Sequence, residues 1–180
     1  SVESTPFLTM SGLSTSGEAG FLGMAFHPDY YDEEADGYGK FYVKVTTSGS
    51  SLTARIREFI VSEDNPNIAD SSSLREVLSY TNPQSNHVGG WIGFSPNNKY
   101  LYMPNGDGGG GFDGGDGSPG HTAGTGNAQD ITSNLPGKML RIDPLDPDDD
   151  GPVTYAIPST NPMVAGVGAP EDDIGDDEIW

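Results

Sequence analysis

The chain of 180 residues has no cysteine, which excludes disulfide bridges, cysteine-ligated zinc and a thiol nucleophile. The compartment stays open on that count, because an exported bacterial protein can dispense with disulfides. Basic residues are also scarce: 8 Lys and Arg stand against 27 Asp and Glu, a net charge of -19. A field of that sign repels phosphate backbones and anionic membrane surfaces, so nucleic-acid binding is disfavoured. No apolar run approaches the roughly 18 residues of a membrane span, and no basic, then apolar leader opens the chain. The expectation is a protein free of membrane spans, extracellular or periplasmic, with any signal peptide already removed. Histidine is scarce too, at three positions, His27, His87 and His121.

What the chain has in quantity is glycine, 26 residues, and proline, 14, placed mostly between short apolar runs. Nothing carries the period of a long amphipathic helix, so the reading is all-β. Candidate strands cover 21–26, 40–46, 54–61, 74–80, 90–94, 100–104 and 138–143. Phe41, Val43 and Val45 alternate with Tyr42, Lys44 and Thr46, as in a half-buried strand, whereas "FLGMAF" is continuously apolar, as in a strand covered on both faces.

A weak repeat emerges when these segments are superposed. "FLGMAFHPD" followed by "KFYVKV" parallels "GGWIGFSPNN" followed by "YLYMP", and the third strands share Arg-Ile at Arg55-Ile56 and Arg141-Ile142. Two copies of a four-stranded antiparallel unit suggest consecutive blades of a β-propeller; a β-sandwich with accidental similarity is the alternative. The first blade would cover about 17–85 and the second 86–157, with 158–180 an acidic loop leading to the next blade. Since propellers close with about four to eight blades, the chain reads as a partial propeller, about two blades of a larger ring.

Residues 105–126, "NGDGGGGFDGGDGSPGHTAGTG", read as a long irregular loop. Asp107, Asp113 and Asp116 are weak candidates for metal binding, because small and acidic residues can wrap oxygen ligands around Ca2+; their spacing is not that of an EF-hand, and a solvated turn-rich loop is the competing reading. The acidic runs "DPLDPDDDG" and "EDDIGDDE" read as solvated faces.

Five segments in order, "GEAGFLGMAFHPDY", "NHVGGWIGFSPNNKYLYMPNGDGG", "GNAQDITSNLPGKMLRIDP", "YAIPSTNP" and "DEIW", resemble the soluble pyrroloquinoline-quinone (PQQ) dependent glucose/sorbosone, or aldose sugar, dehydrogenases, a family that includes hedgehog-interacting-protein-like members. The resemblance implies a six-bladed propeller that holds PQQ with Ca2+ above its central channel and oxidises a sugar at the anomeric hydroxyl. It gives His87 the role of general base, a role suited to a side chain that titrates near neutrality. It also places Glu18 and Asn86 near the cofactor, and Gly89 and Gly90 where the backbone passes close to it. Read from the residues alone, His87 is a histidine at a strand entrance hydrogen-bonded to a turn, Glu18 is equally a turn cap, and His27 and His121 are turn or loop residues.

Two departures qualify the resemblance. Trp91 stands where many members have arginine, and the family's further basic contacts to the PQQ carboxylates come from later blades. The expectations are therefore a sugar substrate for the intact enzyme, or a non-catalytic extracellular binding module, or a fragment that pairs with remaining blades or with other copies of the chain.

Overall fold

The computed structural model describes residues 3–49, 51–145, 154–164 and 177–180. In chain order the strands are β1 (Phe21–Phe26), β2 (Lys40–Thr47), β3 (Leu52–Val61), β4 (Ala69–Asn82), β5 (Gly93–Phe94), β6 (Leu101–Pro104) and β7 (Met139–Ile142). They form two antiparallel sheets, one of four strands in the order β1-β2-β3-β4 and one of three in the order β5-β6-β7. No helix occurs among the described residues. The all-β expectation therefore holds, and the acidic runs fall largely on 146–153 and 165–176, outside the described residues.

The repeat seen in the sequence corresponds to equivalent strands. Phe26 opposes Phe41 across β1 and β2, as Phe94 opposes Leu101 across β5 and β6. Both Arg-Ile pairs lie on the third strand of their sheet, but not in the same register: Ile142 faces Leu101, whereas Ile56 faces Lys44. The second sheet has three strands where four were expected. Beyond β7, Ile179 forms a single bridge with Leu140, and the Arg141 and Trp180 amides donate to the Glu178 and Met139 carbonyls. Arg141 lies over the Tyr100 and Trp180 rings, 5.5 and 5.8 Å from their centres. Cation–π attraction thereby helps hold that short segment in place.

Expectation and structure trade places at the first two strands. β1, expected to be covered on both faces, leaves Phe21, Met24 and Phe26 between 41 and 48% exposed. β2, expected to be half-buried, has both faces covered, and Tyr42, Lys44 and Thr46 are fully buried. The reason is position. β2 lies inside its sheet with apolar layers on both sides, and β1 is an edge strand. On one face Phe41, Val43, Val45 and Phe59 pack under Phe7, Leu8, Met10 and Leu13. On the other, Tyr42, Ile56, Val77 and Leu78 meet Ile92, Leu101, Met103, Leu140 and Ile142 of the second sheet. At about 1.5–3 kcal/mol for each large apolar side chain buried, this layer is the main attraction between the sheets.

The polar residues of β2 are tolerated inside because each finds a partner, as buried polar groups must. The Tyr42 hydroxyl donates to Glu58 at 2.6 Å, and Arg75 donates twice to the Glu58 carboxylate at 2.8 and 3.0 Å. Arg75 also reaches the carbonyls of Pro144 and Thr154, which ties the two halves together. Burial alone would raise the Glu58 pKa, but the bonds from Arg75 and Tyr42 outweigh it and hold the carboxyl below its ordinary value.

Candidate functional site

The strand expected over 90–94 is only two residues long, because the preceding segment packs its backbone against the chain instead of pairing. At Gly23 of β1, a Cβ would lie 2.4 Å from the Gly90 carbonyl oxygen. At Gly106 a Cβ would lie 1.9 Å from the His87 carbonyl, and at Gly89, whose φ is 68°, one would lie 2.6 Å from the Pro104 carbonyl. Residues 87–89 and 104–106 thus run backbone against backbone, closer than any side chain permits. The room left by the missing Cβ of Gly89 is filled by the chain itself.

This contact fixes His87 at the meeting point of three segments. Its amide donates to Glu18 Oε2 at 2.7 Å, and its carbonyl accepts from the Gly108 amide at 3.2 Å. Its Nδ1 lies 2.8 Å from Asp107 Oδ1. Glu18 is itself anchored, since its amide donates to the Ser85 carbonyl at 2.7 Å, and Asp107 also accepts from the Gly109 amide at 2.9 Å. His87 has φ 51°, a left-handed conformation that costs a non-glycine residue about 1–3 kcal/mol and persists where its surroundings over-determine it. A carboxylate only accepts, so Asp107 places the ring proton on Nδ1 and leaves the Nε2 lone pair as an acceptor. The side chain is 50% exposed, so solvent and small molecules reach the ring.

Of the other residues singled out in the sequence, Asn86 is half-buried, and its Oδ1 lies 2.3 Å from the position a Cβ on Gly109 would take. Gly90 faces the Leu22 carbonyl. Trp91 is 58% exposed, its ring packed over Gly93. The metal candidates do not come together. Asp107 engages His87; Asp113 accepts from the Asn127 and Ala128 amides and pairs with His121; Asp116 accepts from the Gly111 and Ser118 amides and the Ser118 hydroxyl. Among the described residues no group of three or more His, Asp or Glu side chains is placed to hold a metal ion. His27 is buried and the side chain of His121 is covered; His27 Nδ1 accepts from the Asp29 amide, and burial lowers the His27 pKa.

Asp107 was visible in the sequence as an acidic loop residue, but nothing local marked it as the partner of a histidine twenty positions earlier. Lys44 and Asn105 were missed. The Lys44 ammonium donates to Asn105 Oδ1 at 2.7 Å and to the Pro104 carbonyl at 3.1 Å, and Asn105 Oδ1 also accepts from the Tyr80 hydroxyl at 2.7 Å. Lys44 is fully buried, which lowers its pKa to about 8.

PQQ carries three carboxylates, so the charge at this end of the sheets tests whether it would fit. Glu18 and Asp107 are the acids that touch His87. The basic residues are engaged elsewhere: Lys44 and Lys138 with carbonyl and amide oxygens, Arg141 with Asn161 and Thr160, Arg55 and Arg57 with Glu76, Arg75 with Glu58, and Lys99 with Asp29. Lys40 opens β2 beside Ile60, at the end of the sheet opposite Glu18. The described residues place no exposed cation beside His87, so on their own they do not fit a tricarboxylate.

Comparison with known proteins agrees with the architecture. The sequence model of the family described as Glucose / Sorbosone dehydrogenase matches residues 2–173. The Hedgehog-interacting proteins of Mus musculus and Homo sapiens are each 31% identical over 170 residues, covering 91% of this chain and 22% of their own length. The chain thus spans about a fifth of these curated relatives. Among solved structures, the soluble aldose sugar dehydrogenase of Escherichia coli in its apo-form superposes with a TM-score of 0.65 at 20% identity, over 98% of this chain and 41% of that one. A putative glucose dehydrogenase from Thermus superposes with a TM-score of 0.60 at 23% identity, over 97% of this chain and 41% of that one. At these identities the superpositions show the fold alone: the two sheets are blades of a sugar-dehydrogenase-type propeller.

Proposed function

The chain belongs to the glucose/sorbosone dehydrogenase family, and from that premise we propose that it is the part of an exported sugar dehydrogenase propeller that supplies the proton acceptor. The observation that carries the reading is His87: strained, half exposed, held through its amide, its carbonyl and Nδ1, and left with Nε2 as an acceptor. Nε2 would take the proton of an anomeric hydroxyl as the C1–H bond gives up its electron pair. Asp107 would stabilise the imidazolium that forms, and Glu18 would hold the backbone beneath it. PQQ with Ca2+ is the two-electron acceptor the family implies; the cations to hold it would have to come from outside the residues described.

The scarcity of cations beside His87 and the similarity to Hedgehog-interacting proteins favour one second reading, an extracellular binding or self-assembling module that keeps the blades without the chemistry. Sugar-dependent dye reduction by the natural full-length protein, supplied with PQQ and Ca2+ and tested across a panel of aldoses, separates the two. Reduction with at least one aldose is expected. A folded protein inert to the whole panel would leave the binding module.

A further inference from the structure

We propose that Lys44 is a positioning residue for the His87–Asp107 pair, acting from the first blade through the first residues of the loop that carries Asp107. The inference rests on the reading of His87 as a proton acceptor. A fully buried lysine with no carboxylate partner is costly, because burial removes the hydration of its ammonium. Its two acceptors are consecutive residues, the Pro104 carbonyl and Asn105 Oδ1, where β6 ends and the loop begins. The next residue, Gly106, is pressed against the His87 carbonyl, and the one after it is Asp107, whose carboxylate meets the ring.

Lys44 stands on β2, paired with β1 and β3, in the most completely buried strand of its sheet. Its ammonium is therefore a fixed point to which the start of the loop is referred. Tyr80 of β4 grips the same Asn105 oxygen, and the Asn105 amide donates to the Lys138 carbonyl at 2.8 Å. From the second sheet's side the same stretch is held by the Asn105 side-chain amide on the Leu135 carbonyl at 3.3 Å, the Gly137 amide on the Gly106 carbonyl at 2.8 Å and the Asn127 side-chain amide on the Asp107 carbonyl at 2.9 Å. Among the described residues only Lys44 bonds both residues 104 and 105 from the first sheet, so it ties the loop's exit from β6 to that sheet. A shift of the loop by about 1 Å would take Asp107 beyond hydrogen-bond reach of Nδ1.

The test reads the ring directly, without turnover. In protein labelled with 15N at its histidines, the His87 nitrogens report which of them carries the proton. The wild type is expected to show the Nδ1–H form. Lys44→Met is expected to convert His87 mainly to the Nε2–H form common in free imidazole, while Lys44→Gln, which keeps a donor, retains the wild-type pattern. If Lys44→Met does not fold, Asn105→Ala breaks the same contact from the other side and is read in the same way. A folded Lys44→Met or Asn105→Ala protein with an unchanged Nδ1–H signal would overturn the proposal. A changed signal in a protein that oxidises no sugar would keep the positioning role and discard the dehydrogenase reading.

Discussion

Lys44 shows how one residue links the fold to the candidate chemistry, and it makes a prediction about pH. Burial lowers its pKa from 10.5 to about 8. Between those values the unfolded chain still holds a proton that the folded chain has released, so raising the pH across the window favours folding. Urea unfolding at about pH 7.5 and about pH 10 should show wild type gaining stability relative to Lys44→Met at the higher pH. Parallel behaviour of the two proteins would mean the ammonium is not desolvated. The sequence carried no sign of this lysine, because polar residues alternating along a strand read as a solvated face, and only the second sheet covers that face. His87 stands out only through the family resemblance of "NHVGG", and Asp107 only as an acid in a glycine-rich loop. Their pairing depends on bare glycine backbones meeting across the two segments, a contact that spacing along the chain does not encode.

At the scale of elements, the loop after β6 is irregular, as the glycine run implied, yet its carboxylates bond its own chain: exposed Asp116 caps the Gly111 and Ser118 amides, and Asp130 turns inward. Asp130 accepts from Thr122, Thr132, Ser133 and Asn134, and although its burial pulls the other way, the Ser133, Thr122 and Thr132 donors hold its carboxyl well below the ordinary range. The Lys138 ammonium donates to the Asn127 and Pro136 carbonyls and to Asn134, closing the loop's far end. Carboxylates and one buried cation thus replace the hydrogen-bond ladder that the loop lacks. The near end relies on the absent side chain of Gly106. Gly106→Ala places a Cβ 1.9 Å from the His87 carbonyl, a clash with backbone that cannot rotate away. It is expected to cost roughly 1–3 kcal/mol in unfolding experiments and to dislodge His87. A stable Gly106→Ala protein with an unmoved His87 ring signal would show that the two segments are looser than their contact implies.

At the scale of the whole molecule, the two blades bury a common apolar layer but leave β1 as an open edge with Phe21, Met24 and Phe26 exposed. An unpaired, apolar edge strand is a template for association. Light scattering on the purified 180-residue chain should therefore find self-association that rises with concentration and falls in Met24→Lys; a monodisperse monomer at every concentration would contradict it. If the Nε2 of His87 takes the proton in sugar oxidation, full-length protein carrying His87→Gln, with PQQ and Ca2+ supplied, shows it most directly in sugar-dependent dye reduction. The variant is expected to fold and its kcat to fall by about 10²–10⁴-fold, the usual contribution of a general base. Wild-type turnover in that variant would contradict it.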